Sequence, residues 1–166
     1  RTTSSAASDV YKRQQQSYQE SKTYESGQSA KIAKLKVNGK YYKIGMTICY
    51  DLRFPNLFRD LALNGADLIT VPSVFMHITG KDHWHSLLKA RAIETGCYIV
   101  APAQYGHYFN KRKSYGHSLI VSPWGKILKD AKTEKNIIIA DIDKRQIEIA
   151  RSKIPSLFIN KKYKID

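Results

Sequence analysis

The sequence predicts an α/β domain in which helices cover the faces of mostly buried strands. Three observations carry that expectation. Strand-like and helix-like segments alternate for three rounds before the chain becomes strand-rich. The runs 66–71, interrupted only by Asp67 and Thr70, and 97–101 are apolar stretches of strand length, as in strands buried on both faces. The segments between them repeat their apolar residues at helical spacing.

The elements follow in order. Residues 34–37 and 41–48 flank the turn signal Asn38-Gly39, which predicts a hairpin ending at Cys49. Over 56–64, Leu57, Phe58, Leu61 and Ala62 share one helical face, with Pro55 at the start and Gly65 at the stop. The run 66–71 is a strand closed by Pro72. From Asp82 as cap, Trp84, Leu87, Leu88, Arg91, Ala92 and Thr95 repeat at helical spacing until Gly96. Residues 97–101 form a further buried strand. Segments 119–121 and 127–128 flank Ser122-Pro123-Trp124-Gly125, whose proline suits the second position of a type I turn, so a second hairpin is predicted. Residues 137–142 read as a strand, and Asp143 caps a last helix to about residue 152, before Pro155 and a basic tail.

With 166 residues, 19.0 kDa, 42% hydrophobic and 25% charged residues, the chain has the make-up of one globular domain or part of one. That composition excludes a wholly disordered chain, and no run reaches the roughly 18 apolar residues of a membrane helix, which excludes a helical membrane protein. Two cysteines, Cys49 and Cys97, are too few for a disulfide scaffold and fit neither a cysteine-rich zinc site nor a CxxC redox pair, so a reducing, cytoplasmic setting is expected. The net charge of +14 invites an anionic partner. Its basic residues are scattered, with short clusters at 111–113 and 161–164 and no basic helix or finger, so nucleic-acid binding is not expected.

Residues 1–14, RTTSSAASDVYKRQ, have no hydrophobic periodicity and no apolar signal-peptide core. The stretch 9–14 is also the translation of GATGTGTATAAGAGACAG, the end of a transposon adapter used in sequencing libraries. We therefore expect residues 1–14 to be an assembly scar and residues 15–166 to be the C-terminal part of a longer domain. Setting the scar aside removes a net two positive charges and leaves the remainder basic.

Cys49 is the leading candidate for chemistry. A cysteine among apolar residues is usually a small core hydrophobe, but Tyr50, Asp51 and Arg53 put polar side chains directly after a buried strand, where α/β enzymes commonly place their sites. A guanidinium at Arg53 can hold a substrate carboxylate through two hydrogen bonds; a solvated surface charge is the alternative. Phe75 and Met76, after the 66–71 strand, are candidates for a pocket wall or for ordinary core packing. Arg91 and Glu94 lie three apart on one helical face and are placed to pair with each other. Cys97 reads as a buried structural thiol. A metal site is not expected: His83 and His85 stand two apart on a helix and face different directions, and the other histidines are not clustered in sequence.

Cys49-Tyr50-Asp51-Leu52-Arg53-Phe54-Pro55 resembles the nucleophile motif of the nitrilase superfamily, the carbon–nitrogen hydrolases. The match continues through Gly65-Ala66-Asp67, Val71-Pro72-Ser73 with Phe75, Thr79-Gly80, His83-Trp84, 90–94 (ARAIE), 101–104 (APAQ), Tyr115-Gly116-His117-Ser118 and Pro123-Trp124-Gly125, in the order and spacing of the Nit branch. That branch contains deaminated-glutathione amidase and omega-amidase. The resemblance implies an α-β-β-α sandwich, here with its N-terminal part missing, usually dimerised through a helical face. It also implies cleavage of a small non-peptide amide through a thioester on Cys49, without a cofactor or metal. The backbone N–H of Tyr50 resembles an oxyanion donor, and Glu20 of Tyr18-Gln19-Glu20-Ser21 matches an accessory glutamate of the site. His83 and Trp84 resemble pocket-wall and helix-start residues, and His85 departs from the glutamate usual at its position.

A thiol with a pKa near 8.5 is only a few per cent thiolate at neutral pH, so such chemistry needs a base and a cation beside it. In the family the base lies upstream of the segments matched here, and the lysine falls where residues 1–14 stand; Lys12 lacks the context of that lysine. The expectation is therefore an amidase as the complete protein, with the 166 residues alone inactive. The rival from another class is a catalytically dead member of the fold, kept as an interaction protein.

Overall fold

The computed structural model describes residues 27–107, 113–159 and 164–165. Glu20, Lys12 and the rest of 1–26 lie outside these. β1 (Lys31–Val37) and β2 (Lys40–Met46) make the expected hairpin, paired from Lys31 opposite Met46 to Val37 opposite Lys40. Asn38 (φ 48°) and Gly39 (φ 77°) both take left-handed backbone, the type I′ geometry that Asn-Gly accommodates.

The chain then crosses through α1 (Pro55–Leu63) to β3 (Leu68–Thr70) and through α2 (His77–Thr95) to β4 (Tyr98–Ala101). Strands β2, β3 and β4 are parallel, so the alternation read from the sequence is a pair of βαβ units. Right-handed crossovers taken twice in the same direction lay both helices on one face of the sheet. β5 (Tyr105–His107) and β6 (Lys113–Tyr115) form a separate two-stranded ribbon, held to the main body by the Tyr115 N–H donating to the Phe75 carbonyl at 2.8 Å. β7 (Leu119–Val121) and β8 (Ile127–Asp130) complete a six-stranded sheet in the order β1-β2-β3-β4-β7-β8. Their hairpin turns as predicted, with the Gly125 N–H donating to the Ser122 carbonyl at 2.9 Å.

The register explains the core. Gly45, Ile69, Ile99 and Val121 fall in one row across β2, β3, β4 and β7, and all four are buried beneath the helices. At Gly45 a Cβ would stand 3.1 Å from Ile69 and 3.2 Å from Leu61 of α1, so the bare backbone lets the helix lie close on the sheet. Phe58, Trp84, Leu88 and Leu52 fill the layer between. α3 (Lys144–Lys153) begins at its predicted cap, with the Asp143 carboxylate accepting from the Arg145 N–H at 3.0 Å. It is fastened to the segments entering β3 and β4. Arg151 donates to the carbonyls of Ala66 (2.9 Å) and Thr95 (3.1 Å), and Lys144 pairs with Asp67 at 3.0 Å.

Two sequence expectations need correction. α2 starts at His77 rather than after Asp82, so Trp84 stands inside the helix and not at its start. Its first turn holds poor helix formers, and packing supplies the order instead: Gly80 is buried so tightly against Tyr115 that a Cβ would sit 2.4 Å from that side chain. Residues 137–142 form no strand, and Ile137 and Ile139 are largely exposed; an apolar run becomes a strand only where a neighbour completes its hydrogen bonds.

Candidate active site

The carboxyl ends of the parallel strands gather the site. Beyond β2, the Thr47 N–H donates to the Thr70 carbonyl (3.1 Å) and the Cys49 N–H to the Pro72 carbonyl (2.9 Å). Beyond β3, the Ser73 N–H donates to the Pro102 carbonyl (2.9 Å) and the Gln104 N–H to the Ser73 carbonyl (3.0 Å). The parallel pairing thus continues past the strands and sets Cys49, the 72–76 segment and the 102–104 segment along one edge. In open α/β sheets ligands bind at this edge.

Cys49 opens a short 3₁₀ turn, Cys49–Arg53, with φ 46°. Left-handed backbone at a non-glycine residue costs about 1–2 kcal/mol and is kept where the surroundings impose it, often at functional sites. Two buried residues impose it here. Asp51 accepts the Ile48 N–H on its carboxylate at 3.0 Å while its own N–H donates to the Ile48 carbonyl at 2.9 Å, closing the turn from inside. Arg91, buried on α2, donates from Nε (3.0 Å) and Nη2 (2.9 Å) to the Leu52 carbonyl and from Nη1 to Glu94 (2.8 Å). The expected Arg91–Glu94 pair forms, but the larger role of Arg91 is to hold the turn that carries Cys49. Nothing in the sequence pairs position 91 with position 52.

Arg53 leaves the end of this turn. Its guanidinium lies 5.5 Å from the Tyr50 ring centre and 5.2 Å from that of Phe75, and Nη1 donates to His83 Nδ1 at 3.2 Å. Among the described residues no ion pair engages Arg53. The sequence candidates Tyr50, Arg53 and Phe75 therefore meet in one place, with His83 as a fourth member. The Phe75 ring is packed in the core against Trp84, 4.9 Å between centres, and it also lies near Arg53. Met76 stands at the N-cap of α2, half exposed. Glu20 lies outside the described residues.

Both cysteines are thiols, in contrasting settings. Cys97 is fully buried, 3.2 Å from the Ala66 carbonyl and 3.1 Å from Arg151 Nη2. Burial pushes its pKa up, and the Arg151 cation offsets only part of that. It reads as the inert structural thiol the sequence suggested, whereas Cys49 is partly accessible.

The histidines unclustered in sequence are partly clustered in space. His85 Nε2 lies 3.4 Å from Asp130 Oδ2, and His117 Nδ1 lies 3.1 Å from both carboxylate oxygens. Burial raises the Asp130 pKa, but the Lys132 N–H and the two imidazoles outweigh it and hold the carboxyl below its ordinary range. The topology brings them together: Asp130 ends β8 opposite Leu119 of β7, and His117 sits just before that strand on left-handed backbone (φ 57°).

Comparison with known proteins places this geometry. The family model described as carbon-nitrogen hydrolase matches residues 7–152, beginning inside the segment 1–14 set aside above. The chain belongs to the carbon–nitrogen hydrolase family. The chain is 44% identical over 140 residues to a protein of Synechocystis named deaminated glutathione amidase, a match covering 84% of the chain and 51% of the relative. Proteins of the same name from Dictyostelium discoideum (50% over 127 residues, 74% and 43% covered) and Homo sapiens (48% over 113 residues, 68% and 35% covered) are similar too. The chain therefore spans about half, or less, of the length of these relatives. Among solved structures, Saccharomyces cerevisiae Nit3, a member of branch 10 of the nitrilase superfamily, matches with TM-score 0.74 and 36% identity over 82% of this chain and 49% of its own. The Caenorhabditis elegans NitFhit protein matches with TM-score 0.83 and 34% identity over 95% of this chain and 38% of its own. The fold is thus nitrilase-like, as the motifs implied. No helix among the described residues is long and apolar enough to cross a membrane.

Proposed function

We propose that the protein of which this chain is part hydrolyses a small non-peptide amide, with Cys49 as nucleophile. The carrying observation is the placement of Cys49 on a strained turn at the carboxyl edge of the parallel strands, within a sequence 44–50% identical to deaminated glutathione amidases. In this reading the thiolate attacks the amide carbon, ammonia or an amine leaves, and water releases the acid from the thioester. In this reading the Tyr50 amide donates to the oxyanion, supported by its position in the first turn of a 3₁₀ segment whose early N–H groups lack acceptors within the turn. Arg53 takes a substrate carboxylate, since a guanidinium with no ion pair among the described residues, set beside two aromatic rings, suits a small keto-acid amide such as deaminated glutathione. Phe75 and Met76 line the approach. Glu20 shapes the site in the complete enzyme, where a further glutamate and a lysine supply the base and the cation.

The complete protein is read as a cytoplasmic homodimer that needs no cofactor, and the 166 residues alone turn over no amide. Incubating the complete protein with a small ω-amide and quenching in acid is expected to trap an acyl mass on the peptide containing Cys49, with Cys49→Ala losing both label and turnover. Acylation confined to Cys97 would overturn the assignment. An intact protein that takes no label and releases no ammonia would favour the catalytically dead interaction protein.

A further inference from the structure

The cluster formed by His85, His117 and Asp130 has no role in the proposed amide chemistry. His83, on the Arg53 side of α2, and His85 are two positions apart and so point about 200° away from each other around the helix. The three residues come from α2, from the segment before β7 and from the end of β8. Each offers one ligand atom, and these atoms all lie within 4.8 Å of one another. Their side chains are 19–27% exposed, enough for an ion to enter and too little for them to swing freely.

We propose that His85 Nε2, His117 Nδ1 and Asp130 Oδ2 form a binding site for a divalent transition metal of the zinc type. Two imidazoles and one carboxylate are a donor set characteristic of zinc sites that leave a fourth position to water. Ligands about 2.0–2.1 Å from a tetrahedral ion stand roughly 3.3–3.4 Å apart. The His85–Asp130 edge is 3.4 Å and the His117–Asp130 edge 3.1 Å, so one ion can take all three once the imidazole–imidazole edge closes.

The surroundings already hold the ligands in place, as metal sites require. The Lys132 N–H donates to Asp130 Oδ1 at 2.7 Å, leaving Oδ2 as the oxygen nearest His85. Tyr115 stacks on His117 (4.4 Å between centres, 22° between planes) and meets His85 edge-on at 5.8 Å. Its hydroxyl lies 3.5 Å from His85 Nδ1, the nitrogen that keeps the proton when Nε2 binds metal. Tyr115 is itself seated against Gly80. An ion here ties α2 to the β7–β8 hairpin across 45 residues of sequence.

The test is titration of the chelator-treated complete protein with Co²⁺, followed by visible absorption, and with Zn²⁺, followed by calorimetry. One saturable equivalent is expected, with a Co²⁺ band of tetrahedral intensity and a thermal midpoint raised by Zn²⁺. His85→Ala and Asp130→Asn should each weaken binding at least about tenfold, while His83→Ala leaves it unchanged. Circular dichroism checks that the variants keep the fold, and the two substitutions lie on separate elements so that either can serve. No saturable binding, or one equivalent bound with the same affinity in both variants, overturns the site and leaves Asp130 as a plain hydrogen-bond bridge between two imidazoles.

Discussion

Replacing Arg91 with methionine isolates the clamp on the Cys49 turn. The side chain is 7% exposed and its guanidinium lies 5.5 Å from the centre of the Phe58 ring, so methionine fills much of the volume while removing the donors. The Leu52 carbonyl then loses two charge-assisted bonds, at 3.0 and 2.9 Å, in a fully buried position. Stranding one such acceptor costs about 1–3 kcal/mol. Glu94, more than a third exposed, loses a pair worth at most about 1 kcal/mol after solvent screening. The sum, about 1–4 kcal/mol, corresponds to a fall in melting midpoint of roughly 2–16 °C for a domain of this size. Urea and thermal unfolding measure it, and Glu94→Gln serves as the control, with an expected loss below about 1 kcal/mol. A purely structural Arg91 leaves the alkylation rate of Cys49 unchanged in the folded state. A positioning Arg91 changes that rate, because Leu52 and Cys49 share one turn. Loss of less than about 1 kcal/mol in the methionine variant, with unaltered Cys49 alkylation, would refute the reasoning.

Three further outcomes are expected. Iodoacetamide near pH 8 should modify Cys49 well before Cys97, because burial raises the Cys97 pKa and closes its access; peptide mass mapping reads the order, and equal rates would contradict the packing around Arg151. Gly80→Ala should cost about 1–3 kcal/mol in urea unfolding, since its Cβ would meet Tyr115 at 2.4 Å and neither α2 nor β6 can yield without repacking. Hydrogen bonds from the Arg145 side chain and N–H hold the Asp143 carboxyl below its ordinary range, so its contribution to stability is present above the unfolded pKa of about 4 and fades as pH falls through the lower folded value. The melting midpoints of the parent and Asp143→Asn should therefore differ at pH 6 and converge on acidification below about pH 4; a gap independent of pH would show that the carboxylate charge plays no part.

What the sequence made legible is what chemistry writes locally. The Asn38-Gly39 turn, the Ser122-Pro123-Trp124-Gly125 turn, the Asp143 cap and the strands within 66–71 and 97–101 each depend on residues within a few positions, and each is found where its pattern put it, whereas the run 137–142, with no neighbour to pair with, forms no strand. The polar residue cluster following Cys49 was legible for the same reason. What stayed hidden depends on long separations: Arg91 meets Leu52 across 39 residues, His85 meets Asp130 across 45, and Arg151 meets Ala66 across 85. These contacts are set by the parallel crossovers and the order of the sheet, and no spacing rule within one segment encodes them. The same separations reinterpret the charge. Taken as a total, +14 suggests a surface made for anions. Yet Arg91 and Arg151 direct their guanidinium groups to backbone carbonyls that would otherwise be left unsatisfied in or beside the core, and Arg53 lies against two aromatic rings beside the Cys49 turn. A cation committed to a buried carbonyl no longer adds to an exposed patch, so net charge overstates the anion affinity of a fold that uses arginine as internal scaffolding.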